Sequence, residues 1–280
     1  MLASRPYALH LLAPLVLAVA LTLSALAPAG ATIPRGDTVD SGPAPDWGWE
    51  VLFQDGFDGA AGLAPEQWHT MVGKGPAFQD GQGHLDVTRL AQVRTNPGWA
   101  LPVGTQVRVT ASLLMPDTGT SYAAFWVQHP DGDDPRELDV IESYGPLKPA
   151  GAQLASHLCY DDTPETASKA CVASGLGPLT WPVTPFFAPE VAPWNAFWEY
   201  SADFTVGADS VLFTAVDGVG TTAYAIATPP DARRVPTAAP FHLRLSNKAL
   251  APEHVVPGGT RETMLVDWVT VEVKYPDVDG

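Results

Sequence analysis

A chain of 280 residues, 46% of them hydrophobic and 16% charged, is long enough to bury a sizeable core. Its formal charge of −16 sets 31 Asp and Glu against 15 Lys and Arg, which argues against nucleic acid or an anionic membrane as partner. Two cysteines are too few for a Cys-based metal centre.

Residues 1–31 read as a signal peptide. Arg5 precedes an apolar run from Leu11 to Ala27, and Ala29-Gly30-Ala31 supplies a small-x-small cleavage site before Thr32. Pro14 and the shortness of the run disfavour a membrane anchor, and no cysteine follows it to carry a lipid. The expected product is secreted and extracellular, with no membrane partner after cleavage. Losing Arg5 takes its charge to −17. Residues 32–47 are rich in Pro, Gly and Asp without apolar periodicity, as in a flexible linker. Residues 48–276 are even in composition, as in one domain, and a monomer is expected.

Within that domain helical periodicity is nearly absent. His84 to Thr88, Gln106 to Thr110, Phe241 to Leu245 and Met264 to Val273 alternate or run apolar. Across the chain 25 glycines and 28 prolines break such segments. Short strands at close spacing predict an all-β sandwich or barrel. In a secreted chain, Cys159 and Cys171 are expected to form a disulfide closing the loop between them, worth roughly 3 kcal/mol. The acids of Asp131-Gly132-Asp133-Asp134 read as a solvated loop.

Pro135 to Tyr144 is the most informative stretch. Leu138, Val140 and Ile141 suit a buried strand of about six residues, yet Glu137, Asp139 and Glu142 sit among them. Strict alternation puts Glu137 and Asp139 on one face and Glu142 on the other. One extra residue at Val140 or Ile141, a β-bulge, returns Glu142 to the face of the other two. A solvated strand face would carry the same acids, so placement decides between the readings.

Around that stretch the chain resembles glycoside hydrolase family 16, the laminarinase-like enzymes, over nearly the whole domain. Glu137-Leu138-Asp139-Val140-Ile141-Glu142 is similar to the family's bulged Glu-[Leu/Ile]-Asp-x-x-Glu motif. Upstream, Asp55 to Gly59, Leu63 to Trp68, Gly83 to Thr88, and Met115-Pro116 with Ala124-Phe125-Trp126 resemble family landmarks in the same order. Downstream, Phe197 to Tyr200, Val216-Asp217-Gly218 and Val266 to Val269 do the same. The resemblance implies a concanavalin A-like β-jelly-roll sandwich of two antiparallel sheets. It departs from the family at Trp198, where histidine is usual, at Phe204, where tryptophan is common, and at Tyr122-Ala123, which replace Trp-Pro.

The implied activity is endo-acting, retaining hydrolysis of a β-linked polysaccharide, with β-1,3-glucan the first expectation. Agar- and carrageenan-type galactan enzymes share the motif. Glu137 is then the nucleophile, Glu142 the acid/base and Asp139 the group that holds Glu137. The negative neighbours of Glu142 are expected to raise its pKa. Trp126, Tyr122, Trp198 and His157 are the expected substrate-binding residues. For Trp126 a core position, and for His157 a satisfied sheet histidine, stand as alternatives. The chemistry requires no cofactor. A structural calcium is left open, with Asp267 as candidate ligand and Gly56 where an acidic co-ligand is frequent. A neutral polymer suits the net charge, since an anionic one needs a local basic groove built from the 15 Lys and Arg. Two other readings are an inactive carbohydrate-binding protein of the same fold and a transglycosylase.

Overall fold

Alternating side chains and frequent turn residues fold into two stacked antiparallel sheets. The computed structural model describes residues 48–63, 66–128, 136–146, 153–161, 169–173, 192–218, 220–227, 233–234 and 240–276. The predicted signal peptide, the linker and the Asp131–Asp134 acids lie outside them. Residues 41–280 form one compact unit. No helix among the described residues is long and apolar enough to cross a membrane.

The first strands are β1 (Glu50–Asp55), β2 (Gly62–Leu63), β3 (Trp68–Thr70), β4 (Phe78–Gln79), β5 (Leu85–Val87) and β6 (Gln92–Thr95). Then come β7 (Gln106–Leu114), β8 (Ser121–Gln128), β9 (Glu137–Ser143), β10 (Leu154–Asp161) and β11 (Lys169–Ala173). The last are β12 (Trp198–Thr205), β13 (Ser210–Val216), β14 (Thr221–Ala227), β15 (Arg233–Arg234), β16 (His242–Ala249) and β17 (Met264–Lys274). A 3-10 turn at Pro252–His254 is the only helical element among the described residues.

One sheet runs β14-β13-β12-β7-β17-β5-β4-β2, with β1 paired to β17. The other runs β11-β10-β9-β8-β16-β6-β3, with β15 paired to β10. This is the expected all-β jelly-roll sandwich. The core forms where the inward residues of both sheets meet, for example Val109, Leu113 and Phe213 with Phe125, Leu138 and Leu245. Burial of such side chains is worth about 1.5–3 kcal/mol each.

Two landmarks near the start of the domain meet at Asp55. Its carboxylate accepts the Phe57 N–H at 2.9 Å and the Trp68 Nε1–H at 2.8 Å. The first bond holds Phe57 at φ 54°, a left-handed conformation unusual for a bulky residue. Burial raises the pKa of Asp55 against the opposing effect of these bonds. At the far end of β9, Gly145 adopts φ +85°, and a Cβ there would stand 2.2 Å from the Thr118 carbonyl oxygen. Just past β9 the chain therefore passes through a position only glycine fits.

Candidate active site

The predicted bulge is present in β9. Against β8, Ile141 pairs with Phe125 and Asp139 with Trp126, so Val140 is the extra residue. Against β10, Glu142 pairs with Ala155 and Asp139 with His157, so Ser156 alone faces Val140 and Ile141. The Ser156 hydroxyl donates to the Val140 carbonyl at 2.6 Å and satisfies the acceptor that the bulge displaces from the ladder. Leu138, Val140 and Ile141 enter the core. Glu137, Asp139 and Glu142 consequently share the outer face of the second sheet.

Acidic ligand atoms of Asp139 lie within 4.8 Å of those of Glu137 on one side and of Glu142 on the other. Gln128 Nε2 donates to Glu137 at 3.3 Å, and Cys159 Sγ lies 3.7 Å from the other oxygen of Glu137. His157 Nδ1 is 2.9 Å from Glu142 Oε2 and 3.6 Å from Asp139 Oδ2. Tyr144 donates its hydroxyl to the same Glu142 oxygen at 2.9 Å. Burial and the neighbouring carboxylate raise the Tyr144 pKa far above its usual value, so the phenol stays a donor.

The pKa of Glu142 departs from the expectation. Burial is the largest influence and raises it. The hydrogen bond and charge of His157, the Tyr144 hydrogen bond and the charge of Lys248 together outweigh burial and lower it. The expectation rested on the neighbouring acids, whereas the partner with the largest lowering effect is His157, next to the Ser156 that faces the bulge. His157 is thus a site residue, and its Nε2 is buried without a partner among the described residues.

Trp126 stands on the same face, opposite Asp139, and donates its Nε1–H to Ser246 at 3.2 Å. Arg244 covers its ring at 4.8 Å and Lys248 at 5.1 Å, so at 5% exposure the indole is a floor beneath two cations rather than an open stacking platform. Tyr122, also on this face, stacks on Tyr144 with ring centroids 5.6 Å apart.

Two expected residues are elsewhere. Trp198 begins β12 of the opposite sheet and alternates inward with Tyr200, Ala202 and Phe204. At 3% exposure, stacked on Tyr200, it is a core residue and not a substrate contact. Asp267 is the bulged residue of β17, between the pairs Val266–Leu113 and Trp268–Ser112. Its charge helps raise the pKa of Glu199, after the larger effect of burial. Among the described residues it joins no group of three His, Cys, Asp or Glu ligands.

Several site residues carry no motif: Gln128, Tyr144, Ser156, His242, Arg244, Ser246 and Lys248. A signal existed for the last four, since His242, Arg244, Ser246 and Lys248 alternate with Leu243 and Leu245.

No protein-family model matches the chain, and no curated protein matches it. Solved structures do. The endo-1,3-β-glucanase of Streptomyces sioyaensis superimposes with a TM-score of 0.56 at 20% identity, over 84% of this chain and 100% of that one. The laminarinase of Rhodothermus marinus gives 0.54 at 18% identity, over 80% and 97%. A non-specific endo-β-1,3(4)-glucanase from family GH16 gives 0.55 at 15% identity, over 83% and 94%. The chain carries the jelly-roll fold of the family 16 glycoside hydrolases.

Proposed function

We propose that this protein is a secreted, endo-acting, retaining glycoside hydrolase of a β-linked polysaccharide, with a β-1,3-glucan backbone as first candidate. The observation that carries the reading is the bulge at Val140, which sets Glu137 and Glu142 on one face on either side of Asp139. The glucanase structures with the same fold support the choice of polymer.

In the first step a Glu137 oxygen bonds to the anomeric carbon while the glycosidic C–O bond breaks and Glu142 gives its proton to the leaving oxygen. In the second, water bonds to that carbon, its proton passes to Glu142, and the Glu137 ester bond breaks. Asp139 and Gln128 orient Glu137. His157 and Tyr144 fix Glu142 through contacts of 2.9 Å each. The mature chain is proposed to begin at Thr32 and to act as a monomer outside the cell. Cys159 and Cys171 are proposed to be bonded: β10 and β11 set them directly opposite, and no described cysteine is free.

The two alanine variants test the division of labour. Glu137→Ala should collapse hydrolysis, with azide restoring turnover to a product of inverted configuration. Glu142→Ala should lose natural polymers yet keep aryl glycosides with good leaving groups, with azide giving retained configuration. Equal azide stereochemistry in both, or near-native polymer hydrolysis by either, sinks the assignment.

A further inference from the structure

Strand β10 supplies a partner to each of the two glutamates. Leu158 turns into the core, so His157 and Cys159 stand together on the outer face. The register sets His157 against Asp139 and Cys159 against Glu137. Cys159 Sγ comes within 3.7 Å of Glu137 Oε1. That sulfur and one carboxylate oxygen each of Glu137 and Asp139 lie within 4.8 Å of one another. On its other side Cys159 faces Cys171 of β11. The atom that Cys171 bonds is therefore also the neighbour of the nucleophile, and at 1% exposure Cys159 acts on it without intervening water.

A disulfide sulfur and a thiol sulfur differ at this distance. Bonded to Cys171, Cys159 carries no proton and has no charge to gain, so it withholds no electron pair of Glu137 from the attack. As a thiol it donates S–H to Glu137 Oε1. That bond engages an electron pair needed at the anomeric carbon and favours the unreacted carboxylate over the glycosyl ester. A thiolate would instead add negative charge beside two carboxyl groups. The other groups around Glu137 are Gln128 of β8, Asp139 of β9 with His157 beyond it, and Arg244 of β16, whose charge reaches across the face. None of these responds to a thiol reagent, so the cysteine pair alone couples the site to redox state.

We propose that the Cys159–Cys171 bond is a redox switch on the nucleophile: the bonded pair leaves Glu137 competent, and reduction places on it a hydrogen-bond donor that slows the first step. A dithiol supplies two electrons and two protons. The S–S bond breaks, each cysteine becomes a thiol, and the reagent closes into its own disulfide. The switch rests on the reading of Glu137 as nucleophile. It goes beyond that reading by tying turnover to the oxidising compartment a secreted chain enters, so that the enzyme is held back until the bond forms.

Four forms of the mature protein test this: untreated, reduced with dithiothreitol, Cys171→Ser, and Cys159→Ala combined with Cys171→Ala. Circular dichroism sets a temperature at which each is folded. On laminarin, kcat/KM should fall roughly threefold to tenfold in the reduced protein and in Cys171→Ser, which both carry a thiol beside Glu137. The double alanine variant lacks the bridge and also the donor, so it should exceed Cys171→Ser. A double variant as slow as Cys171→Ser shows that the bridge acts through structure alone and overturns the switch. A reduced protein as fast as the untreated one, or two titratable thiols before reduction, also overturns it. A second readout needs no turnover. Alkylation of Cys159 in Cys171→Ser should require a higher pH than in Cys171→Ser combined with Glu137→Gln, because the carboxylate disfavours the thiolate. Coincident alkylation profiles in a protein that cleaves laminarin leave the hydrolase reading standing and remove the switch alone. Separated profiles without cleavage of any β-linked polymer sink the hydrolase reading, and the switch with it.

Discussion

At Glu142, burial and hydrogen bonding push in opposite directions, and His157 tips the balance toward the carboxylate. The folded pKa lies below the ordinary value of 4.5, so this contribution to stability is complete above that pH and is lost as pH falls through the folded value. The same shift places the alkaline limb of kcat/KM, which reports the acid in the free enzyme, at low pH. His157→Asn keeps a donor and removes the charge. The alkaline limb should then move to higher pH, and stability should become less sensitive to acid. A purely structural histidine would lower activity and leave the limb in place, which a pH–rate profile of the variant distinguishes.

Among the strands, β9 depends on its neighbour for its irregularity. Ser156 is the single β10 residue facing two on β9, and its hydroxyl bonds the carbonyl of the extra one. Ser156→Ala leaves a buried acceptor without its donor, costing about 1–3 kcal/mol. Activity should fall by more than the loss of folded protein explains, because the bulge aims Glu142. Thermal denaturation beside kcat on laminarin measures both. An unchanged kcat with a lowered Tm would show that core packing of Val140 and Ile141 holds the bulge unaided.

The whole molecule combines an acidic surface with one pair of opposed cysteines. Thiol titration of denatured, unreduced protein should find no free thiol. Reduction should lower stability by roughly 3 kcal/mol, the loop-closure value for the segment between Cys159 and Cys171. Two titratable thiols would remove the bridge. They would also weaken the case for export, which the charged start, apolar run and Ala29-Gly30-Ala31 otherwise support.

Local pattern alone determined the all-β class, the strand that begins at Gln106, the long final strand and a strand through the acids of 137–142, because period-two burial is written in neighbouring residues; the bulge in that last strand breaks the period and was an expectation that the family resemblance carried. It also determined that three acids could meet, since a single inserted residue suffices to turn Glu142. Which side chains joined them was a matter of tertiary structure. Trp198 and Trp126 both precede or sit in strands with aromatic neighbours, yet one points between the sheets and the other onto the outer face. Only the sheet order decides that. The pairing of β16 with both β8 and β6 brings Arg94 to Arg244 across 150 positions of chain, and no local signal encodes that approach. The lowered pKa of Glu142 has the same origin, because a carboxylate's protonation is set by the atoms folded against it rather than by its neighbours in sequence.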